Sequence, residues 1–253
     1  MNKFEQMGFK MGLKPDKKDH RDFVMFLPPL EKELPEKFDL KNKIKIIFKQ
    51  KYNDCSSNVI SNCIMSLRED DKIVSRLFQY FNSRYIHDPV FICDEGSSYR
   101  DALKALQKYG YAFNEDWGYI DEHLDQQPDE NTYKIGEQNR FFIRCYRKIY
   151  PIEHNIKQTL FLGHLIMFGV AIYESFLHLD EKFCVPYPCK ASETLVGFHA
   201  ILAVGWNNDI GFLCCNSWGS VWGDKGYFYL PFKYVLDPDL SCDFWTIHTN
   251  YLS

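Results

Sequence analysis

Residues 197–227 have the sequence GFHAILAVGWNNDIGFLCCNSWGSVWGDKGY, in which a polar turn separates two apolar runs. The first run, AILAVGW after His199, is apolar throughout and predicts a buried strand. The sequence NND at 207–209 is typical of a turn, and the second run, GFLCC, ends at Asn216. This hairpin places His199 near the start of one strand and Asn216 at the end of its partner. Because paired strands lie about 5 Å apart, the asparagine amide can reach an imidazole nitrogen.

A histidine that is held by an asparagine is a candidate base, and the chain supplies a candidate nucleophile at Cys55. Cys55 follows the turn-like pair Asn53-Asp54 and begins an amphipathic segment, which predicts a helix to about residue 68 with one of that pair as its N-cap. A helix N-terminus and a nearby imidazolium both lower a thiol pKa and so favour the reactive thiolate. The cysteine, the histidine and the asparagine are therefore our candidate catalytic residues. The alternative for each is an ordinary buried core residue.

The composition indicates a globular chain with few special partners. The 253 residues are 45% hydrophobic, which is enough for one large domain or two closely packed lobes. The formal charge of −4 and the lack of a basic stripe interleaved with aromatics argue against nucleic acid as a partner. The first residues contain no apolar signal-peptide region, and the longest strongly apolar run, 165–172, is too short to span a bilayer. We expect a cytoplasmic protein that is not secreted by a standard route and has no membrane partner.

The chain contains nine cysteines, an odd number that leaves at least one thiol without an intramolecular partner. Without a secretion signal, the reduced form is expected. No Cys-x-x-Cys pair is present, and the adjacent Cys214 and Cys215 point to opposite faces of a strand. We therefore expect no metal site and no cofactor, and we interpret the cysteines other than Cys55 as small buried hydrophobic residues.

The order of elements predicts an α+β fold. Residues 1–33 are polar and rich in lysine and proline, so we interpret them as an N-terminal arm or short pro-segment, followed by a domain over 34–253. The domain divides into a helical lobe over about 42–140 and an antiparallel β lobe over about 141–253. The patterns predict helices near 54–68, 72–84 and 97–110, an irregular acidic loop over 111–140, strands near 141–149, 165–173, 199–206, 211–215, 226–230 and 243–247, and a short helix at 152–162.

Several motifs resemble those of the papain-like cysteine peptidases, the cathepsin group, from about Leu34 to the C-terminus. The family's signature around its asparagine resembles the stretch NSWGSVWGDKGY. Its histidine strand is similar to FHAILAVGW, and the start of its mature domain is similar to LPEKFDLK. DHRD at 19–22, RLFQYFNSR and EGSSYRDALKAL are similar to the compact, disulfide-poor relatives found in bacteria and large DNA viruses. The resemblance implies a two-lobed fold with the site between the lobes, and it adds the virion to the expected locations.

The resemblance also implies a function and a set of roles. It implies a cysteine endopeptidase that acts on polypeptides through an ion pair of Cys55 and His199 and a thioester acyl-enzyme. Asn216 would orient the imidazole, and the Gln50 side chain would bind the oxyanion together with the Cys55 backbone N–H. The implied substrate-binding residues are Gly96, Ser97, Phe198 and Trp218, of which the first two would present backbone groups to an extended peptide and Trp218 would also shield the Asn–His hydrogen bond.

The sequence just before Cys55 departs from the family pattern. Only four residues, KYND, separate Gln50 from Cys55, where the family usually has five. Asp54 replaces a small residue, and its carboxylate would oppose thiolate formation. Tyr52 stands where secreted relatives have a cysteine that forms a disulfide. The alternative function is therefore a catalytically weak relative that binds peptides or a partner without cleaving them. A transglutaminase-type or amidase enzyme is a third hypothesis, which the Ser-Trp-Gly after Asn216 disfavours.

The N-terminal arm carries its own hypothesis. It is shorter than the helical propeptides of secreted cathepsins, but it is separated from the LPEKFDLK motif that begins the domain. We expect the arm to lie along the cleft between the lobes and to restrain activity until it is trimmed. The alternative is an arm that packs on the back of the domain and has no regulatory role.

Overall fold

A seven-stranded antiparallel sheet dominates the C-terminal half of the chain in the computed structural model, which describes residues 3–30 and 32–249. The strands are β1 (Lys37–Asp39), β2 (Cys145–Lys148), β3 (Ile166–Tyr173), β4 (Leu195–Asn207), β5 (Gly211–Cys215), β6 (Tyr227–Leu230) and β7 (Ser241–His248). Six of them lie in the order β2-β7-β3-β4-β5-β6, and β1 pairs with the end of β4. The last four residues of the predicted β lobe and the first two of the predicted arm lie outside the described residues, as does residue 31.

The helices lie mainly in the N-terminal half. They are α1 (Lys3–Gln6), α2 (Cys55–Ser66), α3 (Arg76–His87), α4 (Tyr99–Tyr109), α5 (Glu130–Asn139), α6 (Glu153–Phe161) and α7 (Phe232–Val235). Helices α2 to α5 precede six of the seven strands in the chain, so the predicted α+β class is confirmed. None of the helices within the described ranges has both the length and the apolar character needed to cross a membrane.

Helix α2 is the buried centre of the helical half, and it packs against β4 and α3. All of its residues except the last are buried, including the small serines and asparagines that lie between its apolar residues. Its N-cap position is Asp54, as the sequence predicted, but the Asp54 side chain makes no capping hydrogen bond. The carboxylate instead accepts a hydrogen bond from the Tyr119 hydroxyl at 3.1 Å. The prediction of a side-chain cap is therefore wrong, because a distant tyrosine holds the carboxylate.

Two other helix predictions need correction. Helix α3 begins at Arg76 rather than near residue 72, because Val74 pairs with Phe113 and the Ser75 side chain caps the helix by accepting the Phe78 N–H. The predicted loop over 111–140 contains helix α5. Only two residues of α5 are buried, so its sequence carries little of the apolar periodicity by which a helix is recognised.

The arm residues 3–30 pack against the rest of the chain. Phe4, Leu13 and Met25 are buried in the same apolar cluster as α2 and the sheet. These three residues are isolated within a polar sequence, so no periodic pattern predicts that they are buried. Their burial makes the described part of the arm an integral layer of the fold.

Polar contacts also fix the arm to both halves of the chain. The Asp22 carboxylate pairs with the guanidinium of Arg100 on α4 and, at 3.0 Å, with the ammonium of Lys148 on β2. Asp16 accepts the Arg100 backbone N–H and the Trp245 indole N–H, each at 2.9 Å. Residues 16 and 22 thus anchor the arm to α4, β2 and β7.

Candidate active site

The hairpin of β4 and β5 holds an imidazole against an amide. His199 Nε2 lies 2.8 Å from Asn216 Oδ1, and the same oxygen accepts the Ser217 backbone N–H at 2.8 Å. Because this oxygen is an acceptor for both groups, Nε2 carries the imidazole proton and Nδ1 keeps its lone pair. His199 Nδ1 is buried and has no hydrogen-bond partner among the described residues. It is therefore the nitrogen available to accept a proton.

Trp218 covers this pair. Its ring stacks on the His199 imidazole with 4.9 Å between the ring centroids. Phe9 of the arm stacks in turn on Trp218 at 4.6 Å. These aromatic layers keep water away from the Asn–His hydrogen bond, which strengthens it.

Cys55 is the first residue of α2, and its thiol faces β4. The side chain is completely buried, with a relative exposure of 0%. Burial raises the pKa of the Cys55 thiol to about 12, although backbone hydrogen bonds from Ala200, beside the histidine, and from Gly12 of the arm act to lower it. Burial likewise lowers the pKa of His199 to about 4, opposed by the hydrogen bond to Asn216. The covered site thus favours a neutral thiol and a neutral imidazole, and the ion pair stays a prediction for the uncovered site.

Gln50 is buried beside the same hairpin. Its backbone N–H donates to the Ser217 carbonyl at 2.8 Å, and its side-chain oxygen accepts the Ser217 hydroxyl. These two contacts turn the amide nitrogen outward, where it donates to the carbonyls of Tyr52 at 3.0 Å and Lys10 at 3.1 Å. The structure thus places Gln50 against Ser217, the residue after Asn216. The Gln50 amide nitrogen, which Ser217 leaves available, binds a carbonyl of the arm.

Two of the proposed substrate-binding residues, Ser97 and Phe198, bind the arm through their backbones. The Ser97 backbone N–H donates to the Gly12 carbonyl at 2.9 Å, and the Lys14 N–H donates to the Ser97 carbonyl at 3.1 Å. On the opposite side, the Leu13 N–H donates to the Phe198 carbonyl at 3.2 Å. Backbone groups of the helical and β halves therefore hold one extended segment between them.

Gly96 and Trp218 are placed differently from Ser97 and Phe198. The Gly96 N–H donates to the Tyr80 hydroxyl at 2.9 Å and is thus used within the fold. The Trp218 indole N–H donates to the Lys10 carbonyl at 3.1 Å, which also accepts from the Gln50 amide. Trp218 therefore contacts the arm through a polar atom as well as through its ring.

The arm passes directly over the thiol. A Cβ on Gly12 would lie 2.1 Å from the Asn53 carbonyl oxygen, so only glycine allows this approach. The next residue, Leu13, points into the cleft, where its Cδ2 would lie 2.3 Å from a Cβ on Gly169 of β3. The arm thus fills the space in front of Cys55.

Three contributions to the site were missed from the sequence. Ser217, which positions Gln50, lies inside the quoted NSWG motif, so its place next to Asn216 was a usable signal. The arm residues Lys10 to Leu13 and the Tyr119 hydroxyl that holds Asp54 gave no local signal. Their roles arise from contacts between segments that are distant in the sequence.

A cysteine at a helix start and a histidine–asparagine pair on a hairpin form the candidate Cys-His-Asn site between a helical and a β half. Residues 34–235 match the family of papain family cysteine proteases, and the chain belongs to that family. An uncharacterised peptidase C1-like protein of Acanthamoeba polyphaga mimivirus is 36% identical over 181 residues, which cover 68% of this chain and 58% of the relative. Cathepsin B-like cysteine proteinase 1 of Haemonchus contortus is 38% identical over 100 residues, 37% of this chain and 28% of that protein. The chain thus spans less than two thirds of these relatives' lengths.

Solved structures show the same architecture. Xylellain, a cysteine protease from Xylella fastidiosa, is 29% identical with a TM-score of 0.86, and the match covers 95% of this chain and 96% of that one. The procathepsin B S9 of Trypanosoma congolense is 19% identical with a TM-score of 0.68 over 90% of this chain and 82% of that one, a likeness of fold alone. The resemblance inferred from the sequence motifs and the papain-like fold are confirmed.

Proposed function

We propose that the protein is a cysteine endopeptidase that hydrolyses peptide bonds in polypeptide substrates. The observations that support this most are the His199–Asn216 hydrogen bond of 2.8 Å and the position of Cys55 at the start of a buried helix, with its thiol near the backbone of Ala200, the residue after His199. This arrangement leaves the basic Nδ1 of the imidazole on the side away from the asparagine. Membership of the papain family and the likeness to a bacterial cysteine protease support the same reaction.

The reaction proceeds in two halves. His199 Nδ1 takes the Cys55 thiol proton, and the sulfur attacks the carbonyl carbon of the substrate, forming a C–S bond. The C–N bond then breaks, the imidazolium gives its proton to the leaving amine, and a thioester remains. His199 next deprotonates a water molecule, which attacks the thioester and releases the carboxylic acid and the thiol. Asn216 keeps the imidazole in the orientation that both halves require.

The oxyanion of each tetrahedral intermediate needs donors that are already in place. The Gln50 amide nitrogen is one, because its other end is fixed by Ser217, and it already binds the carbonyl oxygen of Lys10. The backbone N–H of Cys55, at the start of α2, is the other. Fixed donors of this kind stabilise the transition state without reorganisation.

The arm restrains the enzyme by occupying the cleft. Ser97 binds the residues on either side of Leu13, and Phe198 accepts the Leu13 N–H, so the arm lies where a substrate backbone would lie. The Gly12 backbone lies close to the Cys55 thiol and acts to lower its pKa, so the arm occupies the position in front of the sulfur. The arm therefore blocks access to the nucleophile. Its displacement or trimming would activate the enzyme.

Binding without cleavage is the second candidate function. The complete burial of Cys55 and the raised pKa of its thiol favour it, because both oppose thiolate formation. The test is hydrolysis of an internally quenched peptide library by the full chain and by Gly12→Ala, with Cys55→Ala in each background as the control. Cleavage that disappears with Cys55→Ala supports the peptidase. Peptide binding to a folded protein that cleaves nothing in either background would support the alternative.

The proposed location is a reducing compartment, the cytoplasm or a virion. All nine cysteines are free thiols in the structure, and five of them are buried. Reduced, buried cysteines suit a compartment that maintains thiols.

A further inference from the structure

The short connection from Gln50 to Cys55 is tied at both ends to one hydroxyl group. The Tyr119 hydroxyl accepts the Lys51 backbone N–H at 2.9 Å and donates to Asp54 Oδ1 at 3.1 Å. Lys51 directly follows Gln50, and Asp54 directly precedes Cys55. Tyr119 therefore bridges the neighbours of the two oxyanion donors.

Arg76 keeps Tyr119 and Asp54 in this arrangement. Its guanidinium carbon lies 3.4 Å from the Tyr119 ring centroid and 4.3 Å from that of Phe48. One of its nitrogens donates to Asn58 Oδ1 at 2.9 Å. Burial raises the pKa of Asp54 to about 7, and the positive charge of Arg76 acts against that rise. A buried carboxylate is costly unless hydrogen bonds or a nearby positive charge compensate for its lost hydration. The hydrogen bond from Tyr119 and the charge of Arg76 provide this compensation for Asp54.

The geometry of this connection controls whether two donors converge on one oxygen. Ser217 fixes the Gln50 end, and α2 fixes the Cys55 end. The four residues between Gln50 and Cys55 are one fewer than the family usually has, so the path of this connection needs its own support. A displacement of about 1 Å in a catalytic group is enough to lower a rate by roughly a hundredfold.

We propose that Tyr119 is a positioning residue of the oxyanion hole, which sets the separation of the Gln50 amide and the Cys55 N–H by joining Lys51 to Asp54. It touches neither the substrate nor the thiol. This inference rests on the proposed peptidase function. It assigns a role to a residue in the segment between α4 and α5, outside the motifs by which the family was recognised.

The test compares two reactions of the full chain, one that needs the oxyanion hole and one that does not. Peptide hydrolysis develops an oxyanion, whereas alkylation of Cys55 by iodoacetamide requires only the thiolate. Docking of the arm lowers the rates of hydrolysis and alkylation together. The ratio of these two rates therefore reports on the oxyanion hole and not on the position of the arm. Tyr119→Phe should lower kcat about 10- to 100-fold with KM and the alkylation rate within about threefold of the wild type. Tyr133→Phe, which loses a 2.9 Å hydrogen bond to Asn82 in the same half, should change neither.

Three outcomes would overturn the inference. These are an unchanged kcat in folded Tyr119→Phe, an equal fall in hydrolysis and alkylation, and the same selective loss in Tyr133→Phe. Asp54→Asn provides the second variant if Tyr119→Phe does not fold, because its side-chain oxygen still accepts from Tyr119. It should keep the wild-type ratio of the two rates, and a selective fall in its kcat would contradict the positioning role. A protein that neither hydrolyses peptides nor is alkylated at Cys55, both in the wild type and in Gly12→Ala, would instead refute the proposed function.

Discussion

Gly12→Ala tests whether the arm limits access to the site. The added Cβ would lie 2.1 Å from the Asn53 carbonyl oxygen and 2.6 Å from the Asn53 Cβ, far inside van der Waals contact. Asn53 cannot move easily, because its backbone N–H and side-chain amide are bound by Asp94 at 2.9 and 2.7 Å. The backbone of Gly12 is outside the left-handed region, so alanine adds no conformational strain of its own. The clash therefore acts on the docked arm.

The size of the effect follows from the cost of overpacking. Forcing a methyl group into a filled site costs about 1–3 kcal/mol, which raises the open fraction of the arm about 5- to 150-fold while the closed form predominates. We expect kcat/KM for a short fluorogenic peptide to rise by the same factor. The alkylation rate of Cys55 should rise in parallel, because both reactions require the open form.

A matched variant separates this effect from a general weakening of the arm. Lys18→Ala changes an exposed residue of the same arm and should leave both rates near the wild-type values. A folded Gly12→Ala protein whose two rates equal those of the wild type would refute the reasoning. A fall in both rates would also refute it, because it would mean that the Asn53 loop moves instead of the arm.

Three further predictions concern the site, the anchor of the arm and the thiols. Asn216→Ala should lower kcat by about a hundredfold, less than His199→Ala, because the imidazole is misoriented rather than lost; an equal loss would contradict this role. Burial and Asp243 raise the pKa of Asp16 to about 6, so docking of the arm takes up a proton. The arm should therefore be held more tightly as the pH falls from about 6 to 4 and more loosely as the pH rises through 6. Hydrogen exchange of arm amides, corrected for intrinsic rates, should show this dependence in the wild type and not in Asp16→Asn; identical profiles would contradict it. Thiol titration of denatured, unreduced protein should find nine reactive groups, and a reproducible value of seven would indicate a disulfide.

The hairpin could be predicted from the sequence because its signals are local. The strand carrying His199, the turn at 207–209 and the strand ending at Asn216 are contiguous, so period and turn chemistry are sufficient to bring the two side chains together. Cys55 at a helix start follows from the same kind of pattern. The structure then adds the measured 2.8 Å contact and the orientation of the amide.

The remaining parts of the site depend on long-range contacts. Gly12 and Leu13 belong to a segment whose sequence is polar and aperiodic. Gly12 binds Ser97 and Leu13 binds Phe198, which are 85 and 185 positions away. Tyr119 lies in a stretch predicted as surface loop, and its partners are 65 and 68 positions away. Hydrophobic periodicity reports which face of an element is buried, and it does not report which distant hydroxyl reaches a backbone N–H.

Covalent labelling measures the central claim most directly. Gly12→Ala, treated at neutral pH with a thiol-directed epoxide that carries a peptide-like arm, should gain one adduct, located on Cys55 by peptide mass spectrometry. His199→Ala in the same background should gain none. Cys189 is the strongest competitor, because it is exposed and a hydrogen bond from Ser192 lowers its thiol pKa. An adduct on Cys189 or another cysteine that persists in Cys55→Ala, with Cys55 unmodified, would contradict the assignment of the nucleophile.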